Sequence, residues 1–216
     1  MPDVVQMAID CEKYGAEGIT VHPRPDERHI KYQDVIELKK VVRTEFNIEG
    51  YPDGRYMELV KKVRPAQATL VPDPPDALTS NAGWDTIKHK DFLVEVINDL
   101  KNSGIRTSIF VEPKIEIIEA AKAIGTDRIE LYTEPYAANY LKDREKAIRY
   151  FVDAAEKAKD LGIGLNAGHD LNLKNLQYLK ERIPFLDEVS IGHALICDAL
   201  YFGIENTIQM YKRKLK

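Results

Sequence analysis

The stretch Gly18-Ile-Thr-Val-His-Pro-Arg-Pro-Asp-Glu-Arg-His29 contains the pattern that decides the fold, a short apolar strand followed at once by a polar loop. The β-branched residues at its start are typical of a buried strand. Pro23 and Pro25 prevent regular structure beyond His22, because proline lacks an N–H and restricts the residue before it. The sequence therefore predicts a strand that ends at His22 in a rigid loop of ionisable side chains, which is how α/β enzymes build sites.

The same unit of a short apolar segment and a longer segment of helical periodicity repeats along the chain. Predicted strands cover residues 18–22, 46–51, 66–72, 106–112, 127–133, 162–166 and 188–192. Predicted helices cover residues 3–14, 33–44, 53–63, 86–102, 114–124, 143–161, 172–182 and 194–213. This alternation predicts an α/β protein with a parallel sheet, in a single domain over residues 1–216.

Two α/β architectures fit this order, a (β/α)₈ TIM barrel and an open doubly wound sheet. No glycine-rich dinucleotide or phosphate-loop fingerprint follows the first strand, which disfavours the open sheet. The pattern contains eight predicted helices but seven predicted strands, and it begins with a helix. The sequence therefore favours a TIM barrel whose first strand is absent from this chain.

Composition excludes several classes of function. The formal net charge of −4 does not favour nucleic acid as a partner. No signal peptide and no apolar run of membrane-spanning length is present, so we expect a cytoplasmic protein without a membrane partner. Cys11 and Cys197 lie in apolar helical patterns and are predicted to be core residues instead of a disulfide or a metal pair.

Polar residues stand at the predicted strand ends, where both architectures place their sites. Glu49 and Glu130 are notable because carboxylates are depleted in strands and a charge inside a barrel is costly unless it is paired. A buried carboxylate beside histidines has general acid–base capacity near neutral pH. The alternative for each is a solvated outward position or a structural pair with an arginine.

Two glycine–histidine pairs, Gly168-His169 and Gly192-His193, end the last two predicted strands. Glycine lets the backbone approach a ligand closely, and the corresponding loops of such barrels bind phosphate at a helix N-terminus. The alternative is a capping glycine followed by a core histidine. The histidines lack any metal-ligand spacing, so no metal site is expected.

Five motifs in order resemble the pyridoxine 5′-phosphate synthase family of vitamin B6 biosynthesis, over about residues 2–214. The motifs are Gly18-Ile-Thr-Val-His-x-Arg-x-Asp-x-Arg-His-Ile30, Asn47-Ile-Glu49, Leu70-Val-Pro72, Asn166-Ala-Gly-His169 and Ile191-Gly-His-Ala194. The resemblance implies a TIM barrel with extra helices, assembled from dimers into a homo-octamer, with no cofactor. It implies condensation of 1-deoxy-D-xylulose 5-phosphate with 3-amino-2-oxopropyl phosphate to pyridoxine 5′-phosphate, phosphate and water.

The resemblance also implies roles for ten residues. His22 and Glu49 correspond to proton acceptors, His169 to a proton donor and Glu130 to a residue that stabilises the transition state. The sugar phosphate would contact Arg24, His29 and Thr79, and the amino-ketone phosphate would contact Asp170, Gly192 and His193. The family can carry glycine where this chain has Asp170, which implies a contact through the backbone.

Members of this family begin with a strand whose asparagine and arginine contact the sugar substrate, whereas this sequence begins at the first helix. We expect that the upstream segment exists outside this sequence. Two alternatives stay open: another phosphosugar barrel enzyme such as an aldolase or epimerase, or a catalytically impaired phosphate-binding barrel. No lysine stands at a predicted strand end to form the Schiff base of an aldolase.

Overall fold

In the computed structural model, which describes residues 3–73 and 82–216, seven parallel strands form one sheet in chain order. The strands are β1 (Gly18–Val21), β2 (Glu45–Gly50), β3 (Gln67–Leu70), β4 (Arg106–Val111), β5 (Arg128–Tyr132), β6 (Gly164–Gly168) and β7 (Glu188–Ser190). The sheet curls into a nearly closed barrel in which β1 and β7 are the two ends of the strand order. The prediction of an α/β barrel is confirmed.

Helices alternate with the strands and number ten within the described part of the chain. They are α1 (Val4–Lys13), α2 (Tyr32–Val41), α3 (Gly54–Val63), α4 (Lys90–Asn102), α5 (Ile115–Ile124), α6 (Glu134–Asn139), α7 (Arg144–Asp160), α8 (Leu176–Arg182), α9 (His193–Phe202) and α10 (Ile204–Lys214). Two differences from the prediction matter: α6 lies between the predicted strand 127–133 and the predicted helix 143–161, where no helix was predicted, and the predicted last helix is two helices. The break falls at Gly203, whose φ of 75° favours glycine.

Local sequence sets several of the helix boundaries. Asp3, Asp53 and Asp143 each accept a hydrogen bond from the backbone N–H three residues later, at the starts of α1, α3 and α7. Such caps satisfy N–H groups that have no partner within the helix. Gly125 ends α5 in the left-handed conformation, with φ of 86°.

The hydrophobic core lies between the outer face of the sheet and the helices. Alternate strand residues such as Ile48, Ile109 and Ile129 are fully buried there. They belong to the same apolar cluster as Ile97 of α4 and Ile118 of α5. Because side chains alternate across a strand, every second residue must therefore face the barrel interior.

The inner face of the sheet is polar. Thr69 Oγ1 donates to Asn47 Oδ1 at 3.0 Å, Asn47 Nδ2 donates to Thr20 Oγ1 at 3.3 Å, and Arg106 Nε donates to Gln67 Oε1 at 3.0 Å. These bonds link neighbouring strands across the interior. The interior thus differs from the stacked Val, Ile and Leu layers that are usual in such barrels.

Helix α9 lies at the surface with apolar side chains uncovered. Leu200 and Tyr201 are 82% and 86% exposed, and Cys197 is also exposed. The prediction that Cys197 is a core residue is wrong for this chain, because α9 is apolar on more sides than the barrel covers. Cys11 is partly buried in α1. None of the helices described here is long and apolar enough to cross a membrane.

We expect Ile118→Ala to lower the free energy of unfolding by about 2–5 kcal/mol, because it leaves a cavity between α5 and the sheet. Urea denaturation followed by circular dichroism measures the change. Ile115→Ala on the same helix is the control, since Ile115 is 43% exposed and its loss costs about half a kcal/mol or less. Equal losses in the two variants would contradict the placement of the core.

Candidate active site

The ends of β1 and β2 bring a histidine and a carboxylate together at the mouth of the barrel. The two strands are in register with Val21 opposite Ile48, so the next residues, His22 and Glu49, are neighbours. His22 Nδ1 lies 3.9 Å from Glu49 Oε2. The side chains are 18% and 20% exposed, which leaves both within reach of a bound molecule.

The surroundings of His22 keep its imidazole neutral. Burial lowers the pKa of His22 from 6.5 to about 4, and the positive charges of Arg24 and Arg28 act in the same direction. Asp73 opposes them but does not reverse the effect. Near neutral pH His22 therefore has a lone pair with which it can accept a proton or a hydrogen bond.

The surroundings of Glu49 raise the pKa of its carboxyl group. Burial raises the pKa of Glu49 from 4.5 to about 7, and the negative charges of Glu188 and Asp73 add to the rise, whereas Arg24 opposes it. A carboxyl group with this pKa exists in both protonation states near neutral pH. It can therefore take up and return a proton in one reaction cycle.

The chain provides a specific support for the end of β2. The hydroxyl of Tyr56 donates to the carbonyl of Ile48 at 2.9 Å. A Cβ added to Gly50 would lie 2.4 Å from the Tyr56 ring, so glycine is needed there to admit the ring. This packing fixes the backbone on both sides of Glu49.

A small cleft lies beside His22. Its walls are the loop that follows β1, the starts of α2 and α3, and the residues at the ends of β2 and β3. The lining residues are His22, Pro23, Arg24, Pro25, Tyr32, Gly50, Tyr51, Asp53, Tyr56 and Asp73. Arg24 Nη2 donates to Asp73 Oδ2 at 3.1 Å, which holds the guanidinium at the wall of the cleft.

Glu130 lies deeper in the barrel and is 3% exposed. Burial raises the pKa of Glu130 well above 4.5, and the negative charges of Glu49 and Glu188 add to the rise. Its Oε2 has no hydrogen-bond partner among the described residues. A solvated outward position is therefore excluded, and the surroundings favour the protonated carboxyl group, which can donate a hydrogen bond.

Gly168 of β6 makes the room that the Glu130 side chain occupies. A Cβ added to Gly168 would lie 2.1 Å from Glu130 Oε1. Thr133 Oγ1 donates to the carbonyl of Gly168 at 2.6 Å, which fixes the end of β6. Gly168, the glycine of the first glycine–histidine pair, therefore leaves the space that the Glu130 carboxyl group occupies.

His169 follows in an unusual conformation. Its φ of 95° is rare for a residue other than glycine, and such strain concentrates at functional sites. Nδ1 lies 2.9 Å from Asp170 Oδ2, and the ring is 5.9 Å from that of Tyr132. The backbone N–H donates to the carbonyl of Ser190 at 3.4 Å. These contacts direct a 36% exposed imidazole to the mouth of the barrel.

The remaining predicted site residues are more dispersed. Gly192 and His193 are exposed at the start of α9, and space is open around the Cα of Gly192. His29 is exposed farther along the loop and is not among the residues that line the cleft. Asp170 is half-buried beside His169. Thr79 lies outside the described residues.

Sequence reasoning missed Asp73, Tyr56 and Glu188, which contribute to the electrostatics or packing of this site. Glu188 was detectable, because polar and apolar residues alternate along several strands, as in Glu45-Phe-Asn-Ile-Glu49. In the parts of the chain that the structure describes, no three His, Cys, Asp or Glu side chains form a group that could hold a metal ion.

Comparison with known proteins gives a family match over the entire chain. The family model described as "Pyridoxal phosphate biosynthesis protein PdxJ" matches residues 1–216. The pyridoxine 5′-phosphate synthase of Cytophaga hutchinsonii is 62% identical over 215 residues, which are 100% of this chain and 90% of that protein. The enzyme of the same name from Parabacteroides distasonis is 61% identical over 212 residues, 98% of this chain and 89% of that protein.

Solved structures of low sequence identity share the fold. Phosphoribosyl anthranilate isomerase from Thermotoga maritima superposes with a TM-score of 0.66 at 12% identity and covers 98% of this chain and 93% of its own. Thiamine phosphate pyrophosphorylase from Pyrococcus furiosus gives a TM-score of 0.63 at 12% identity. The match covers 99% of this chain and 89% of that protein. At this identity the likeness concerns the fold alone.

We expect Glu130→Gln to stabilise the protein at alkaline pH. A raised pKa means that the unfolded chain ionises first, so wild-type stability falls as pH rises above 4.5 towards the higher pKa of folded Glu130. Glutamine cannot ionise, so the variant does not lose this stability as the pH rises, and its side chain has nearly the same shape as that of glutamate. Urea denaturation at about pH 4 and about pH 8 measures it. A variant no more stable than wild type at the higher pH would show that Glu130 ionises freely.

Proposed function

The chain belongs to the PdxJ family of pyridoxal phosphate biosynthesis proteins, and we propose that it catalyses the reaction of pyridoxine 5′-phosphate synthase. The reaction joins 1-deoxy-D-xylulose 5-phosphate to 3-amino-2-oxopropyl phosphate and yields pyridoxine 5′-phosphate, phosphate and water. The observation that carries the proposal for the site is the convergence of His22, Glu49, Glu130 and His169 at one end of the barrel.

The reaction requires several proton transfers, because an amine condenses with a ketone, water and phosphate leave, and a ring closes. His22 is neutral and accepts a proton, and Glu49 accepts one and returns it near neutral pH. His169 is the proposed donor, and its exposure at the mouth of the barrel lets it exchange with solvent. The three groups thus cover both directions of proton movement.

Glu130 has a different proposed role. Because its carboxyl group is neutral, it can donate a hydrogen bond to an oxygen that gains negative charge in the transition state. Its unpartnered Oε2 is available for such a bond, and its burial makes the bond stronger than it would be in water.

Two sites are proposed for the two phosphate groups. Arg24 at the wall of the cleft and His29 on the same loop would bind the sugar phosphate, with Thr79 as a further predicted contact. The N-terminus of α9, with Gly192, His193 and the nearby Asp170, would bind the amino-ketone phosphate. Backbone N–H groups at a helix N-terminus favour anions, and the space around Gly192 is open.

We further propose a homo-octamer built from dimers, working in the cytoplasm. The apolar surface of α9, with Leu200 and Tyr201 almost fully exposed, supports burial against a second copy of the chain. The phosphorylated substrates do not cross membranes freely, which supports an intracellular location.

A coupled assay tests the function. Purified protein is mixed with the two phosphates, and pyridoxine 5′-phosphate and released phosphate are measured together. We expect both to appear in equal amounts. Binding of both phosphates without either product would favour the phosphate-binding barrel instead.

We expect Glu49→Gln to lower kcat by about 10²–10⁴-fold, because glutamine cannot carry a proton. In the wild type, kcat should fall as pH drops through about 7, where Glu49 becomes protonated. A pH–rate profile measures this limb. A limb near pH 4 instead would assign the essential base to His22, whose pKa is about 4.

We expect Gly168→Ala to lower kcat at least about tenfold, because the added methyl group displaces the Glu130 carboxyl group. The control is Gly54→Ala at the start of α3, where an added Cβ meets no atom within 4 Å. Steady-state kinetics on both variants measure the difference. Unchanged kcat in Gly168→Ala would remove Glu130 from its proposed role.

A further inference from the structure

The buried hydroxyl group of Thr133 lies between two peptide groups of the neighbouring strand end. Thr133 follows β5, and its side chain has no exposed surface. Its Oγ1 donates to the carbonyl of Gly168 at 2.6 Å and accepts from the backbone N–H of Asp170 at 3.3 Å. Gly168 and Asp170 are the residues on either side of His169. One hydroxyl group therefore ties the backbone on both sides of this histidine.

A hydroxyl group suits this position, because it donates one hydrogen bond and can accept two. The single O–H is used on the carbonyl of Gly168, which leaves a lone pair for the N–H of Asp170. The backbone N–H of Thr133 also donates to the carbonyl of Gly168, at 3.3 Å. Valine has nearly the same shape as threonine but can make neither of the side-chain bonds.

The conformation of His169 needs such support. Its φ of 95° is costly for a residue with a Cβ and persists only where the surroundings fix it. The chain is also fixed beyond the histidine, because the carbonyl of Asp170 accepts from Asn175 Nδ2 at 3.3 Å. Asn175 is 1% exposed, and its own carbonyl accepts from the hydroxyl of Tyr136 at 2.7 Å. The strained residue thus lies in a segment that is held on both sides.

The same segment orients the imidazole ring of His169. Nδ1 lies 2.9 Å from Asp170 Oδ2, and the ring packs edge-on against Tyr132 with centroids 5.9 Å apart. A carboxylate accepts hydrogen bonds and donates none, so Nδ1 carries the proton in this pair. Both partners of the pair begin on backbone that the Thr133 hydroxyl holds. Its loss should therefore loosen the orientation of the ring and the choice of tautomer.

We propose that Thr133 is a positioning residue of His169. Its hydroxyl group holds the strained backbone from which the imidazole reaches the mouth of the barrel in one orientation and one tautomer. This role rests on the proposed function, in which His169 is the proton donor. Thr133 itself does not touch the substrates, because its side chain is fully buried.

The variant Thr133→Val removes the hydroxyl group and keeps the shape. We expect kcat to fall by about 10–100-fold, because a small displacement of a reacting group has an effect of this order. KM for both substrates should change by less than about twofold, because a proton donor acts in the chemical step. Thr133→Ser keeps the hydroxyl group and should retain kcat within about twofold. Steady-state kinetics measure these values.

The matched control is Thr86→Val. Thr86 is also fully buried, and its Oγ1 donates to the carbonyl of Ile117 on α5 at 2.7 Å, away from the candidate site. Urea denaturation should show that both valine variants lose stability, whereas only Thr133→Val loses kcat. If Thr133→Val does not fold, Thr133→Ala replaces it, because alanine removes the hydroxyl group and leaves its place unfilled.

A second readout follows the imidazole directly. Long-range ¹H–¹⁵N NMR spectra distinguish the two tautomers of a neutral imidazole, and they are recorded without substrates at about pH 9. The His169 signals are identified as those missing from His169→Gln. We expect the wild type and Thr133→Ser to show the proton on Nδ1, and Thr133→Val to show a mixture of tautomers. A general loss of stability, as in Thr86→Val, would not change these signals.

A His169 spectrum in Thr133→Val that equals the wild-type spectrum would overturn the inference, as would equal losses of kcat in Thr133→Val and Thr86→Val. The NMR measurement needs no turnover, so it separates the inference from the proposed function. A changed tautomer in a protein without synthase activity would retain the positioning role of Thr133 and reject the proposed function.

Discussion

The structure depends on one constraint, that ionisable groups placed inside a barrel must be paired or kept neutral. Unpaired buried charges are too costly to retain. The chain satisfies this by pairing Arg128 with Glu188 and Arg106 with Glu45 in the barrel interior, and by surroundings that favour the protonated form of Glu130. Ion pairs therefore occupy the deeper part of the barrel interior, and the Glu130 carboxyl group lies nearer its mouth.

The sequence predicted the architecture and the strand ends well, because both depend on local patterns. Proline after His22 and glycine after Glu49 mark where the strands stop, and the parallel order then places these residues side by side. The hydrogen-bonded cluster of Arg128, Asn166 and Glu188 was harder to predict. The partners of Glu188 are 60 and 22 residues away in sequence, and the sequence does not show which residues they are.

The errors have a related origin. An apolar helical pattern does not show whether a side chain faces its own barrel or the outside, so Cys197 was assigned to the core. The break at Gly203 was missed because one glycine inside a long apolar pattern is compatible with a continuous helix. Both depend on how α9 and α10 lie against the barrel, which is a tertiary property.

The polar interior described above also bears on how the protein responds to temperature. Exposure of apolar surface raises the heat capacity on unfolding, whereas exposure of polar surface lowers it. Asn47, Thr69 and Gln67 occupy positions that hold branched aliphatic side chains in most such barrels. The apolar core between the sheet and the helices therefore makes the free energy of unfolding curve with temperature. The polar side chains in the barrel interior reduce that curvature, because their exposure lowers the heat capacity of unfolding.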